Sequence, residues 1–445
     1  MNNRRAFGQN VFRYNFWFVP AVMTIGLAAL AFGLLRVEAS VAGTLADRVI
    51  PLEAAGVRRL LSMLGATMMT VATTAFSIVI VALQLASGQL GPRLLRNFIG
   101  DRGNQIAFGI FVGTFVYCLV VLRVLASDIP RQDLPHTAIL GAIVLAGAAV
   151  GVLIFFIHHA ASSIQKDRVI AQLSGEISRS VTRLYPKTIG HEPRVTTDER
   201  GATFQQLDPD RISSDWPDAT DIRLDGGGYV QAIDEQRLMK LTVSRDLCVH
   251  IRRRPGDYVP YGSVVARVRP AERLGPSERR QLSRVFVLGA ERTIEQDVAF
   301  VFDQLVEIAL RALSSSANDS FTAIRCIDRL GDGLARVART TVPSPYRVDA
   351  QGTLRVITSP INFDVMLTQV FYPVAAMASD NTIVMRRLFG AAEMIAHACE
   401  HTSTRQSVHA FVDYMTQTLE TVPLPRSVRE EFAGQAQRIQ RIEPG

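Results

Sequence analysis

Apolar residues dominate four stretches of the chain, at about 15–36, 60–87, 105–126 and 137–159; beyond residue 163, shorter patterned runs carry ordinary charge. Each stretch reaches the roughly 20 residues that a helix needs to cross a hydrocarbon core about 30 Å thick. The first follows basic residues, as a signal peptide would, but its run from Phe16 to Leu35 has the length of a full crossing. The pattern therefore predicts an all-α four-helix transmembrane domain followed by a cytoplasmic α+β region. The expected divisions are residues 1–163 for the membrane domain, 164–222 for a connecting helix and linker, 223–284 for a small β-rich unit, and 285–445 for a mainly helical unit.

Within the second stretch the polar residues fall on one line. At about 100° per residue, Thr67, Thr70, Thr74, Ser77, Val81, Gln84 and Gly88 form a stripe opposite Met68, Val79, Leu83 and Ala86. Small hydroxylated residues let neighbouring helices approach closely and share hydrogen bonds. The same residues suit the wall of a water-filled path, and both readings stand at this level. No Asp, Glu, Lys or His lies in the interior of any span; Arg123, His158 and His159 sit near ends, within snorkelling reach. Proton-coupled transport usually needs an ionisable group at depth, so a passive path or a structural bundle is favoured. Spans three and four carry GxxxG spacings, Gly109/Gly113 and Gly147/Gly151, which permit close backbone packing within a bundle.

Four crossings put both termini on one side, and basic residues choose it. Arg4, Arg5, Arg13, Arg93, Arg96, Arg102, Lys166, Arg168, Arg179 and Arg183 flank one face, and Arg48, Arg58, Arg59, Arg123 and Arg131 the other. Ten against five predicts cytoplasmic termini in a bacterial inner membrane. The break at Gly91-Pro92 followed by Arg93, Arg96 and Arg102 beside Leu94, Leu95, Phe98 and Ile99 suits an interfacial helix among headgroups.

In the second half, "YVQAI", "CVHIRRR" and "SVVARV" read as strands around a short helix at "DEQRLMKLTVSRD". A helix follows near Val298, with Thr293 and Gln296 spaced as a capping box, and a second begins near Thr322 after the loop "SSSANDS". Arg292, Gln296, Asp297, Asp303, Arg311, Asn318 and Asp319 form a candidate polar cluster; a charged solvent face explains them as well.

Composition narrows the function classes. The 445 residues are 48% hydrophobic, and the net charge of +7 is spread without a basic, aromatic-laced stripe, so nucleic acid is not an expected partner. Four separated cysteines offer neither a zinc site nor a disulfide framework, and "EMIAHACEH" lacks HExxH spacing, so no metal is expected. No P-loop, GxSxG or strand-linked GxGxxG is present, which leaves no cofactor and no enzymatic activity to expect.

Two blocks, Phe76 to Arg123 and Glu291 to Leu330, together with "RPGDYV", resemble a bacterial family of predicted membrane proteins, domain of unknown function 2254. The resemblance implies an inner-membrane protein and supplies no activity. In that family's pattern Pro-Gly precedes the Asn-Asp pair and Pro follows it; this chain has Ser315-Ser316 and Ser320, which implies a more flexible loop. The expected function is an oligomeric, channel-like protein in the lipid bilayer with the second span lining the path. The alternative is a membrane-anchored sensor or scaffold whose cytoplasmic region binds a ligand or protein partner.

Overall fold

The computed structural model describes residues 17–38, 54–90, 101–125, 134–163, 166–184, 216–340 and 344–443. Contacts divide the chain into two compact units, Met1–Val169 and Ile170–Gly445.

The first unit contains α1 (Phe18–Glu38), α2 (Ala54–Leu90), α3 (Arg102–Val124) and α4 (His136–Ser163). All four have the length and apolarity to cross a membrane, as the pattern predicted. At 37 residues α2 starts earlier than expected and extends about 55 Å, well past a hydrocarbon core of about 30 Å. The central helix is α3: 56% of its apolar window is buried, against 11% for α1 and 22% for α2 and α4. Its first turn is capped by Asp101, whose carboxylate accepts from the Asn104 amide at 3.2 Å. Nε2 of His159 on α4 lies 2.9 Å from the same carboxylate, which ties the start of α3 to the end of α4.

The two GxxxG spacings behave differently. A Cβ on Gly109 would lie 2.7 Å from Met23 Sδ, and one on Gly113 would lie 2.5 Å from Leu27 Cδ1, so this pair lets α1 press against α3. Gly147 and Gly151 have nothing within 4 Å of such a Cβ among the described residues, so α4 does not use its spacing for packing within the unit. Periodicity cannot reveal which Gly pair meets a neighbour. Phe76, Phe108 and Phe156 join α2, α3 and α4 through edge-on ring contacts. The Tyr117 hydroxyl, fully buried, donates to the Ala138 carbonyl at 2.8 Å.

Leading into the second unit is α5 (Lys166–Leu184), which buries Ile170, Leu173, Ile177 and Val181, a single apolar line at helical spacing. Then come β1 (Thr220–Arg223), β2 (Gly228–Ile233), α6 (Glu235–Ser244), β3 (Cys248–Ile251), β4 (Tyr258–Val259), β5 (Val264–Arg269), α7 (Pro276–Ser283) and β6 (Phe286–Gly289). The helical part follows: α8 (Val298–Leu313), α9 (Ser320–Ala338), the strands β7 (Tyr346–Val348) and β8 (Leu354–Ile357), then α10 (Phe363–Met377), α11 (Thr382–Ala398), α12 (Thr402–Glu420) and α13 (Arg426–Gln440).

One sheet runs β1-β5-β3-β8-β7 and a smaller one β4-β2-β6. Every ladder is antiparallel except β3 with β8, where Val249 pairs with Val356. The larger sheet thus draws strands from both 223–284 and 285–445. Its middle strand β3 is buried on both faces, which explains why "CVHI" lacks a polar alternation. In the helical layer, α8 buries Phe302 and Leu305 completely, each contributing about 2 kcal/mol over an exposed position.

Candidate functional site

In the membrane unit the positions of interest lie on α2. Its buried side is Leu61, Met68, Ala72, Ala75 and Val79, the residues that enter the bundle against α3 and α4. Thr67, Thr70, Thr74, Ser77 and Gln84 are all exposed, roughly 180° round the helix from that side. Within the single chain the contacts to α3 and α4 come from the apolar side, and the hydroxyl stripe lies outside them. Thr70, Thr73, Thr74 and Ser77 each donate their hydroxyl to the carbonyl four residues earlier at 3.0 Å. This removes the need for an outside acceptor while leaving the hydroxyl oxygens available as acceptors themselves.

Sequence reasoning overlooked polar groups on the inner side of α3. Asn104, Gln105 and Thr114 are buried, Thr114 completely. Their signal was present as "GNQ" opening an apolar span. Of the interfacial arginines, Arg102 forms the first residue of α3, and Arg93 and Arg96 lie outside the described residues.

In the second unit the polar residues around α8 separate into three groups. Arg292 contacts Asp297 at 2.7 Å and Asp303 at 2.6 Å, and its guanidinium lies 4.9 Å from the Phe300 ring centre. Asp297, nearly fully buried, also accepts from the Phe300 amide and so caps α8. Burial pushes the Asp297 carboxyl up, with Arg292 opposing it; burial also works against the Arg292 charge, but Asp297 and Asp303 outweigh it and raise the guanidinium. The "RPGD" turn reaches this point: Gly256 has φ +96, and a Cβ there would lie 2.3 Å from Asp297 Oδ2. Two of the blocks quoted for the family resemblance therefore meet at one carboxylate.

Gln296 faces elsewhere. Its Oε1 accepts from the Ile233 amide at 2.8 Å, and its Nε2 donates to the Ile233 carbonyl at 3.1 Å. The expected capping box with Thr293 is thus replaced, because Asp297 caps the helix and Gln296 serves β2 where the pairing with β4 has stopped. Arg311 pairs with Glu307 at 3.6 Å, and Asn318 and Asp319 lie at the opposite end of the 16-residue α8, about 24 Å along its axis. There Asn318 adopts φ +42, and Asp319 caps α9 by accepting from both the amide and the hydroxyl of Thr322. The "SSSANDS" loop is closed internally, with the amides of Ala317 and Asn318 donating to the Ser314 carbonyl. Among the described residues no three His, Cys, Asp or Glu side chains converge to hold a metal ion.

The model of the family described as a predicted membrane protein, domain of unknown function 2254, matches residues 13–394. The chain belongs to the DUF2254 family. Uncharacterized proteins of Mycobacterium bovis and of two strains of Mycobacterium tuberculosis are each 28% identical to it, over 98% of this chain and 81% of the relative. No solved structure matches it. This DUF2254 protein is accordingly a membrane protein with four apolar helices followed by helices and two small sheets.

Proposed function

We propose that this protein resides in the bacterial inner membrane with both termini in the cytoplasm, and assembles as a homo-oligomer around a passive, water-filled path lined by α2. The observation that carries this reading is the placement of the α2 stripe: Thr67, Thr70, Thr74, Ser77 and Gln84 turn out of the bundle, beside exposed Met63, Ile78 and Val81, while Met68, Ala72, Ala75 and Val79 turn in. A helix surrounded only by hydrocarbon gains nothing from that choice, whereas a helix beside water or a second copy does. Four helices from one chain enclose too little room for a path, so several copies are required. The excess of Lys and Arg on the flanks of one face supports the orientation.

Thr70→Cys tests the assembly, since the four native cysteines are buried. Bismaleimide treatment in membranes should give covalent oligomers, and purified protein in liposomes should pass ions at a rate cut by Thr70→Leu with Thr74→Leu. Labelling of Thr70→Cys by a lipid-soluble thiol reagent alone, without crosslinks and without flux, would remove the proposal.

A second reading makes residues 170–445 a sensor or scaffold. It is favoured by Tyr258 on β4 and Tyr261 on the turn after it, exposed by 57% and 77%, as expected of a partner surface. Loss of co-purifying partners on Tyr258→Ser with Tyr261→Ser would support it, and an unchanged set would count against it.

A further inference from the structure

Neither reading uses the cleft between the edge strand β1 and helix α7. It has a volume of about 650 Å³, within the range of small-molecule sites. Four guanidiniums line it: Arg223 from β1, Arg267 from β5, and Arg279 and Arg280 from α7. The ladder explains their convergence, since Asp221 of β1 pairs with Arg267 of β5 and Arg223 follows at the same strand parity.

Several arginines elsewhere in the unit are held close to acids: Arg292, Arg355 and Arg386 each lie 2.6–2.7 Å from a carboxylate. In the cleft the nearest such contact is Arg223 to Asp221 at 3.9 Å. Arg279 donates to the Thr220 hydroxyl at 3.0 Å, Arg223 to the Gly262 carbonyl at 3.0 Å and Arg280 to the Pro276 carbonyl at 3.2 Å, all neutral acceptors. Arg267 reaches the Trp216 carbonyl at 3.4 Å, and its Nε is buried with no hydrogen-bond partner among the described residues. A buried, unpaired guanidinium N–H costs free energy unless an acceptor arrives. Two carboxylates, Asp221 and Asp225, share the lining with the four guanidiniums, so the cleft keeps a net charge of +2.

We infer that this cleft binds a sugar phosphate, free or as part of a nucleotide. Forked guanidinium N–H groups match phosphoryl oxygens, Arg267 being the anchor and Arg279 and Arg280 closing from α7. Asp221 and Asp225 accept hydrogen bonds from sugar hydroxyls, a demand that inorganic phosphate does not meet. Among the described residues the lining holds no aromatic ring, so recognition is of the phosphate and sugar and not of a stacked base.

The test is calorimetric titration of the full-length protein in detergent with ribose 5-phosphate, ADP and inorganic phosphate. Ribose 5-phosphate and ADP should bind saturably and more tightly than phosphate, with affinity falling as salt rises. Arg267→Gln, and separately Arg279→Gln with Arg280→Gln on the exposed helix, should each raise Kd by about tenfold or more. Asp225→Asn should weaken ribose 5-phosphate and leave phosphate unchanged. Arg386→Gln, which breaks a pair with Glu431 on α13, should alter none of these affinities. ADP tighter than ribose 5-phosphate would assign the cleft to a sugar diphosphate such as a nucleotide carries, and ribose 5-phosphate at least as tight as ADP to a sugar monophosphate. No saturation up to about 10 mM, or affinities that stay within about twofold in both arginine variants, would overturn the inference.

Discussion

Replacing Gln296 by Ala tests how the smaller sheet and the start of α8 are joined. The side chain supplies an acceptor to the Ile233 amide and a donor to the Ile233 carbonyl, across 63 residues of sequence. Ile233 is buried, so water replaces these contacts poorly, and each lost bond costs about 1 kcal/mol net. The sum is about 2 kcal/mol, before any loss of packing between β2 and the start of α8. In a unit of this size that amount lowers Tm by about 3–4 °C. Trp216, packed under the Arg269 guanidinium at 4.8 Å, gives a fluorescence signal from the larger sheet for following the transition. Thr293→Ala is the discriminating partner: in a capping box it would cost as much as Gln296→Ala. Here the Thr293 hydroxyl makes only a 3.4 Å contact to the Gln231 carbonyl, so its loss should shift Tm by about 1 °C. Equal shifts for the two variants, or no shift for Gln296→Ala, would refute the assignment of Gln296 as the clamp on β2.

Three further outcomes are expected. Gly113→Val should separate α1 from α3 and lower the yield of folded protein in detergent, as read by size-exclusion chromatography, while Gly151→Val, with open space around it, should leave the profile unchanged. Under native conditions the thiols should resist a water-soluble disulfide reagent at pH 7: all four are buried, and burial pushes Cys248 and Cys399 up to about 11 and Cys326 up to about 12. One rapidly titrating thiol would contradict this. Burial pushes the Asp349 carboxyl up, but the Arg355 hydrogen bond and the amides of Thr353 and Gln351 outweigh it and hold it below its usual value; Arg355 and Arg273 do the same for Asp246. Lowered carboxylate pKa values stabilise the fold fully above the ordinary carboxylate range and cease to do so as pH falls through the depressed values. Tm should therefore fall on acidification below about pH 4, and Arg355→Gln should flatten that dependence.

The features legible in the sequence were those set by local pattern. Four long apolar runs announce four helices because bilayer thickness and helix rise fix the length. Short β-prone runs marked β2, β3 and β5, and the start of α6 was marked by Asp234, which caps it through the Arg237 amide. Features decided by distant partners were not legible. Gln296 has good capping-box spacing, but Ile233 competes for its carboxamide and wins both ends of it. Gly109 and Gly151 are equivalent as GxxxG members, yet only Gly109 meets another helix. The arginine cleft is assembled from β1, β5 and α7, with Arg223 and Arg267 44 positions apart, and no spacing rule connects them.

The side that α2 turns inward was likewise beyond the sequence, and it bears most directly on function. A Thr or Ser hydroxyl bonded to its own helix is tolerated in hydrocarbon, so each outward hydroxyl taken singly says little. Their alignment with Gln84 says more, because a primary amide has two donors and an acceptor that the helix backbone cannot satisfy. Left unpaired in hydrocarbon, such an amide costs about 2–7 kcal/mol. Apolar side chains are nearly indifferent between lipid tails and a protein interior, so burying Met68, Ala72, Ala75 and Val79 in place of the stripe brings little gain by itself. The orientation acquires a driving force only when the outward side meets something polar. The neighbouring copy of α2 in the proposed assembly, with water between the copies, would supply it.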